Sequence, residues 1–250
     1  MNEILRAEKL VKRFGALAAT NGLNLSLRQG ELHGVIGPNG AGKTTFLHQL
    51  AGEIMPDEGR IYLDGRDITR ATVDARALDG IGRSYQITSI FKEFSVLENV
   101  MLAVQARQGS SFRFWSAARN DKTLSVPAYD ALTEVQLGYA ADRRAGALGY
   151  GEMRQLEIAM TLAMCPRVLL LDEPMAGMSQ QESARLIELL QSLKGKYSIV
   201  LVEHDMNAVF ALADRITVLL YGAVIACGTP AAIQGNDDVK QAYLGDDDEF

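Results

Sequence analysis

The stretch that most limits what this chain can become is Gly37-Pro38-Asn39-Gly40-Ala41-Gly42-Lys43-Thr44-Thr45. It carries a glycine, four free positions, then Gly-Lys-Thr, the pattern of a phosphate-binding loop. Leu32, Val35 and Ile36 before it predict a short buried strand, and Phe46, Leu47 and Leu50 after it recur at helical spacing. A glycine-rich loop between a strand and a helix curls its backbone so that successive N–H groups face one oxyanion. The helix adds the positive end of its dipole. In that setting Lys43 reaches the β- and γ-phosphates of a nucleoside triphosphate, and the Thr44 hydroxyl holds Mg²⁺.

Two later stretches say what is done with the nucleotide. Val168 to Leu171 is an apolar run of the kind found inside a parallel sheet, and it ends in Asp172-Glu173. Ligands of open parallel sheets sit beyond the carboxyl ends of strands. Asp172 is therefore placed to help hold the metal, and Glu173 to accept a proton from an attacking water. A second apolar run, Ile199 to Val202, is followed by Glu203-His204. A neutral imidazole at that edge can hydrogen-bond the γ-phosphate and orient the water.

The remaining sequence sets the frame around this edge. The chain has 250 residues, 48% of them apolar, enough for one large domain with a full core. A net charge of -6 argues against a nucleic-acid surface. Cys165 and Cys227 lack metal-ligand spacing and read as free thiols of a reducing cytosol. No apolar run reaches membrane-spanning length and the N-terminus has no signal-peptide layout, so any membrane role is peripheral, through a partner.

Alternation in residues 3–29, with Leu23, Leu25 and Leu27 two apart, predicts an N-terminal antiparallel β-layer. From about 88 to 165 helical spacing replaces strand signals, predicting a helical subdomain inserted into an α/β domain. Its helices are expected from Val96 onward, from Tyr129 to Leu137 beyond a Pro127 boundary, and from Glu152 to Met164. Strand and helix alternate again from Arg167, and the acidic residues 246–250 form a solvated tail. The expectation is a single nucleotide-binding domain over 1–250, with a P-loop NTPase core around a parallel sheet.

Taken in order, these motifs resemble the ATP-binding subunits of ATP-binding cassette (ABC) transporters over nearly the whole chain. The resemblance implies further roles. Phe14 matches an aromatic that stacks on adenine. Gln86 matches a glutamine that touches Mg²⁺ and responds to the membrane partner. Leu148-Gly149-Tyr150-Gly151-Glu152 stands at the signature position at the start of a helix. It departs from the common Leu-Ser-Gly-Gly-Gln, so backbone groups near Gly151 and the helix dipole must serve a phosphate without the serine hydroxyl. Pro174-Met175-Ala176-Gly177-Met178 also departs from the family's usual form. These departures are similar to the subgroup that energises branched-chain amino-acid importers, with urea or amide importers and lipopolysaccharide exporters as near alternatives. The resemblance implies ATP and Mg²⁺, a second ATPase subunit that completes each site head to tail, membrane permease subunits, and a place on the cytoplasmic face of the cell membrane. Ile90, Phe91 and Phe94 read either as part of the permease-facing surface or as packing within the helical subdomain. A module that binds nucleotide without hydrolysing it is the alternative of another class; the presence of Glu173 and His204 argues against it.

Overall fold

The computed structural model describes residues 2–84, 90–109 and 121–243. From the N-terminus, β1 (Glu3–Phe14), β2 (Leu17–Arg28) and β3 (Leu32–Ile36) precede α1 (Lys43–Ala51). Then come β4 (Glu58–Leu63), β5 (Arg66–Asp67), α2 (Val73–Leu78) and β6 (Ile81–Arg83). Three helices follow, α3 (Val96–Arg107), α4 (Lys122–Glu134) and α5 (Tyr150–Ala163), before β7 (Val168–Asp172) and α6 (Gln180–Leu193). The chain closes with β8 (Ser198–Val202), α7 (Met206–Leu212), β9 (Arg215–Leu220), β10 (Ala223–Gly228), α8 (Pro230–Gln234) and α9 (Asp237–Tyr243).

These elements form two compact units. One contains the described residues up to Arg76, Val168–Glu173 and the described residues from Leu193; the other contains Ala77–Arg167 and Pro174–Ser192. In the first, an antiparallel sheet of order β2-β1-β4-β5 forms the expected N-terminal β-layer. Leu5 pairs with Leu27 on one side and with Leu63 on the other, and all three are buried. The same unit holds a largely parallel sheet in which β3 lies between β8 and β9, β7 pairs with β8, and β10 closes an antiparallel hairpin on β9. Every residue of β3, β7 and β8 is buried, which explains why β7 and β8 are nearly continuous in Val, Leu and Ile rather than alternating.

One side chain anchors α1 from behind. Arg76 is fully buried and donates through Nη1 to the Gln49 and Leu50 carbonyls, through Nε to Ala71 and through Nη2 to Thr69. Two of these carbonyls belong to the last turn of α1, where a cation also suits the helix dipole. Burial lowers the guanidinium pKa to about 10, so it stays charged at neutral pH. Arg76→Ala strips donors from four carbonyls, those of Gln49 and Leu50 in buried bonds. The expected cost is about 3 kcal/mol or more, read as a drop in the urea midpoint of unfolding at unchanged slope.

In the second unit α3, α4 and α5 pack against one another, and Val96, Val100, Val104, Leu132, Leu156 and Ala159 on them are buried. Ser95 and Glu98 cap α3 reciprocally. Buried Asn99 bonds the N–H and C=O of Phe91 and the C=O of Ser95, fixing the entry to α3. Two expected boundaries move. Pro127 does not precede the second helix but lies inside α4. A helical proline frees the carbonyl four residues back, here Thr123, and Gln108 Nε2 donates to that carbonyl at 3.2 Å. The third helix begins at Tyr150 rather than Glu152. Ile90 is buried while Phe91 is 54% exposed and stacks on Phe94 at 5.2 Å, so the three apolar residues divide between packing and surface.

Candidate nucleotide site

Strand register brings the expected catalytic groups to one edge of the first unit. Val35 of β3 and Asp172 of β7 both pair with Val202 of β8, so the three strands end in step. The next residues along them are Ile36-Gly37, Glu173 and Glu203-His204. The phosphate loop, both carboxylates and the histidine therefore share the carboxyl edge of one parallel sheet.

The loop is built around two glycines whose places admit nothing larger. Gly37 has φ 152° and a Cβ there would lie 2.2 Å from the Leu219 carbonyl oxygen; Gly42 has φ 100° and its Cβ would lie 2.1 Å from that of Ala19. Lys43 is buried, and its ammonium donates to Gly37 O at 2.5 Å and Pro38 O at 3.1 Å. The loop's own carbonyls thus hold the cation inside its curl. Ala41 is buried and accepts from Gly222 N–H, while Asn39 and Gly40 are exposed. Thr44 is exposed in the first turn of α1 and Thr45 is half-buried. A glycine cradle with an internal cation suits phosphate. The Thr44 hydroxyl and the Asp172 carboxylate are hard oxygen donors of the kind Mg²⁺ takes.

Asp172 is buried at the end of β7. Glu173 follows with φ 45°, in the left-handed region, and its N–H donates to Val202 O at 2.8 Å. That bond ties the residue to the end of β8 while the positive φ turns the chain, leaving the half-buried Glu173 side chain at the edge. His204 is half exposed, and its Nδ1 lies 3.8 Å from Oε2 of the fully buried Glu203. Glu203 Oε2 also accepts the His204 N–H at 3.2 Å. Phe14 ends β1 with half its surface exposed and Lys12 Nζ 5.8 Å from its ring centre, an open aromatic face at the first unit's surface. Gln86 lies outside the described residues.

The signature stretch belongs to the second unit, and its chemistry differs from the expectation. Leu148 is buried; Gly149 is the N-cap of α5, and Tyr150 opens the helix. Glu152 directs no bare charge toward a phosphate. Its Oε2 accepts the Gly149 N–H at 2.8 Å, and its Oε1 accepts from the Tyr139 hydroxyl at 2.7 Å and Arg143 Nη1 at 2.8 Å. Burial works against its charge, but those donors hold the carboxyl below the usual range. The Gly151 N–H, expected to serve a phosphate, donates to Glu182 Oε1 at 3.1 Å. Tyr150 reaches across to the Ala176 carbonyl at 3.1 Å and accepts from Arg154, which pairs with Glu157 at 2.8 Å. Arg143, Glu182 and Glu203 were missed because their partners lie 9, 31 and 1 residues away in patterns that no motif spells out. Glu203 alone had a signal, an acid directly after a buried strand.

A phosphate loop, two carboxylates and a histidine at one sheet edge define a nucleotide-hydrolysing P-loop domain. The ABC transporter family pattern matches residues 20–176, and a pattern described as a branched-chain amino acid ATP-binding cassette transporter matches residues 223–249. The chain is 39% identical to the high-affinity branched-chain amino acid transport ATP-binding protein BraF of Pseudomonas aeruginosa, covering 97% of this chain and 98% of that one. Its fold is similar to the ADP conformation of MJ1267, an ATP-binding cassette of an ABC transporter, with TM-score 0.85 and 28% identity over 98% of this chain and 100% of that one. It is also similar to the dimeric post-hydrolysis ATP-binding cassette MJ0796 bound to ADP and Pi, with TM-score 0.73 and 25% identity over 91% and 99%. The chain belongs to the ABC transporter family. It is an ATP-hydrolysing subunit of that family, and among the described residues no helix is long and apolar enough to cross a membrane.

Proposed function

We propose that this chain energises import of branched-chain amino acids or related polar solutes. It does so as one of two paired ATPase subunits docked on permease subunits at the cytoplasmic face of the cell membrane. The in-step ends of β3, β7 and β8, which gather the loop, Asp172, Glu173 and His204, carry the hydrolytic part. The match of residues 223–249 to the branched-chain pattern and the similarity to BraF support the cargo.

In this reading the phosphate loop cradles the β- and γ-phosphates through its N–H groups and Lys43. Phe14 stacks on the adenine. Thr44 and Asp172, with Gln86, would hold Mg²⁺. When bound, Mg²⁺ neutralises phosphate charge and fixes the orientation of the γ-phosphoryl group. Glu173 takes the proton from the attacking water, and His204 hydrogen-bonds the γ-phosphate while Glu203 beneath orients its loop. The signature of a second subunit, a copy or a sister, completes each site. Binding closes the pair and product release reopens it, so the transported solute never touches this chain.

Uptake by cells lacking this chain tests the cargo. Radiolabelled leucine uptake is expected to fall to background and to return with the wild-type chain but not with a Lys43→Ala copy. Intact leucine uptake with loss of urea uptake would move the cargo to the amide class.

A further inference from the structure

We propose that Glu182 is an internal stand-in for phosphate: its carboxylate occupies the start of the signature helix and must be displaced before a partner's nucleotide can dock there. The proposal rests on the paired-subunit reading above.

The geometry is local to the second unit. Glu182 Oε1 takes the Gly151 N–H, one of the donors that the start of α5 leaves without a helical partner. Its Oε2 is held by the Ser179 N–H at 3.0 Å and the Ser179 hydroxyl at 2.7 Å. The Ser179 hydroxyl also accepts the Glu182 N–H at 3.3 Å, so the residue is fixed at the entry to α6. The fit is close: a Cβ at position 151 would lie 3.2 Å from Glu182 Cγ, so only glycine lets the carboxylate approach without displacement. Ser179's hydroxyl and N–H, then Gly151's N–H, keep the carboxyl below its usual range, so the group offered to Gly151 is an anion. One N–H cannot serve this anion and a phosphate oxygen together, and the two charges repel.

Glu152 plays a different part. Its charge is matched by Arg143 and it bonds the N-cap residue Gly149, leaving Gly151 to Glu182. A cleft of about 420 Å³ opens here, lined among others by Gly149, Gly151, Glu182 and Arg185. It leaves room for the Glu182 carboxylate to swing aside within a lining that includes Arg185. Glu182 is thus a positioning residue, setting how much nucleotide is needed to close the pair.

The test uses the full chain with Glu173→Gln as background, so that closed pairs accumulate. The ATP concentration giving half-maximal pairing is read by sedimentation. Adding Glu182→Gln is expected to lower that concentration about two- to fivefold, and the gain should shrink at high salt. Ser179→Ala, which loosens the carboxylate but keeps its charge, should shift it the same way by less. An unchanged or raised ATP requirement in a Glu182→Gln protein with wild-type thermal stability would make Glu182 a strut and overturn the proposal. A less stable Glu182→Gln protein passes the decision to Ser179→Ala, judged by the same sign. If ATP drives no pairing even in the Glu173→Gln background, the paired-subunit reading itself falls and takes this proposal with it.

Discussion

Glu173→Gln removes turnover and keeps nucleotide. Steady-state phosphate release is expected to fall about a hundredfold or more, the usual loss when a general base is deleted. ATP affinity stays near that of the wild type because the amide has the size of the carboxylate and leaves the phosphate loop untouched. The backbone should also hold, since the Glu173 N–H bond to Val202 O does not involve the side chain. Binding measured by titration and turnover measured by phosphate release must therefore separate. Wild-type turnover in this variant would assign proton removal to another group, with His204 the first to test because it lies two residues past the end of the neighbouring strand.

Lys43→Ala acts one step earlier. The ammonium is buried and donates to the neutral carbonyl oxygens of Gly37 and Pro38. Phosphate oxygens offer it stronger, charge-assisted partners. Deleting it removes a charged hydrogen bond of about 1.5–3 kcal/mol from the bound state, with further loss from the uncompensated phosphate charge. ATP affinity should fall about a hundredfold or more in a titration with a fluorescent analogue. Unchanged affinity would place the nucleotide elsewhere.

The parts legible from sequence were those in which a short pattern carries its own geometry. Glycines at fixed spacing between a strand and a helix leave the loop little freedom. Apolar runs ending in Asp172-Glu173 and Glu203-His204 identify strand ends, and the register of β3, β7 and β8 then aligns them. What escaped depended on distant partners. Pro127 reads as a helix boundary because nothing nearby shows that Gln108 will satisfy the carbonyl it frees. Glu152 reads only as a departure from the usual signature until Tyr139 and Arg143 are seen to hold it. Gly151 reads as an open donor until α6 brings Glu182 to it.

Glu173 combines its role with an awkward backbone. At φ 45° a side chain costs on the order of 1 kcal/mol that glycine avoids and asparagine partly avoids. Mutational drift toward a more stable fold therefore favours those two residues at this position, and in the proposed mechanism either one ends hydrolysis. Selection for turnover has to oppose that drift continuously. In a gene copy released from its transport duty, position 173 is where the record of that release should first be written.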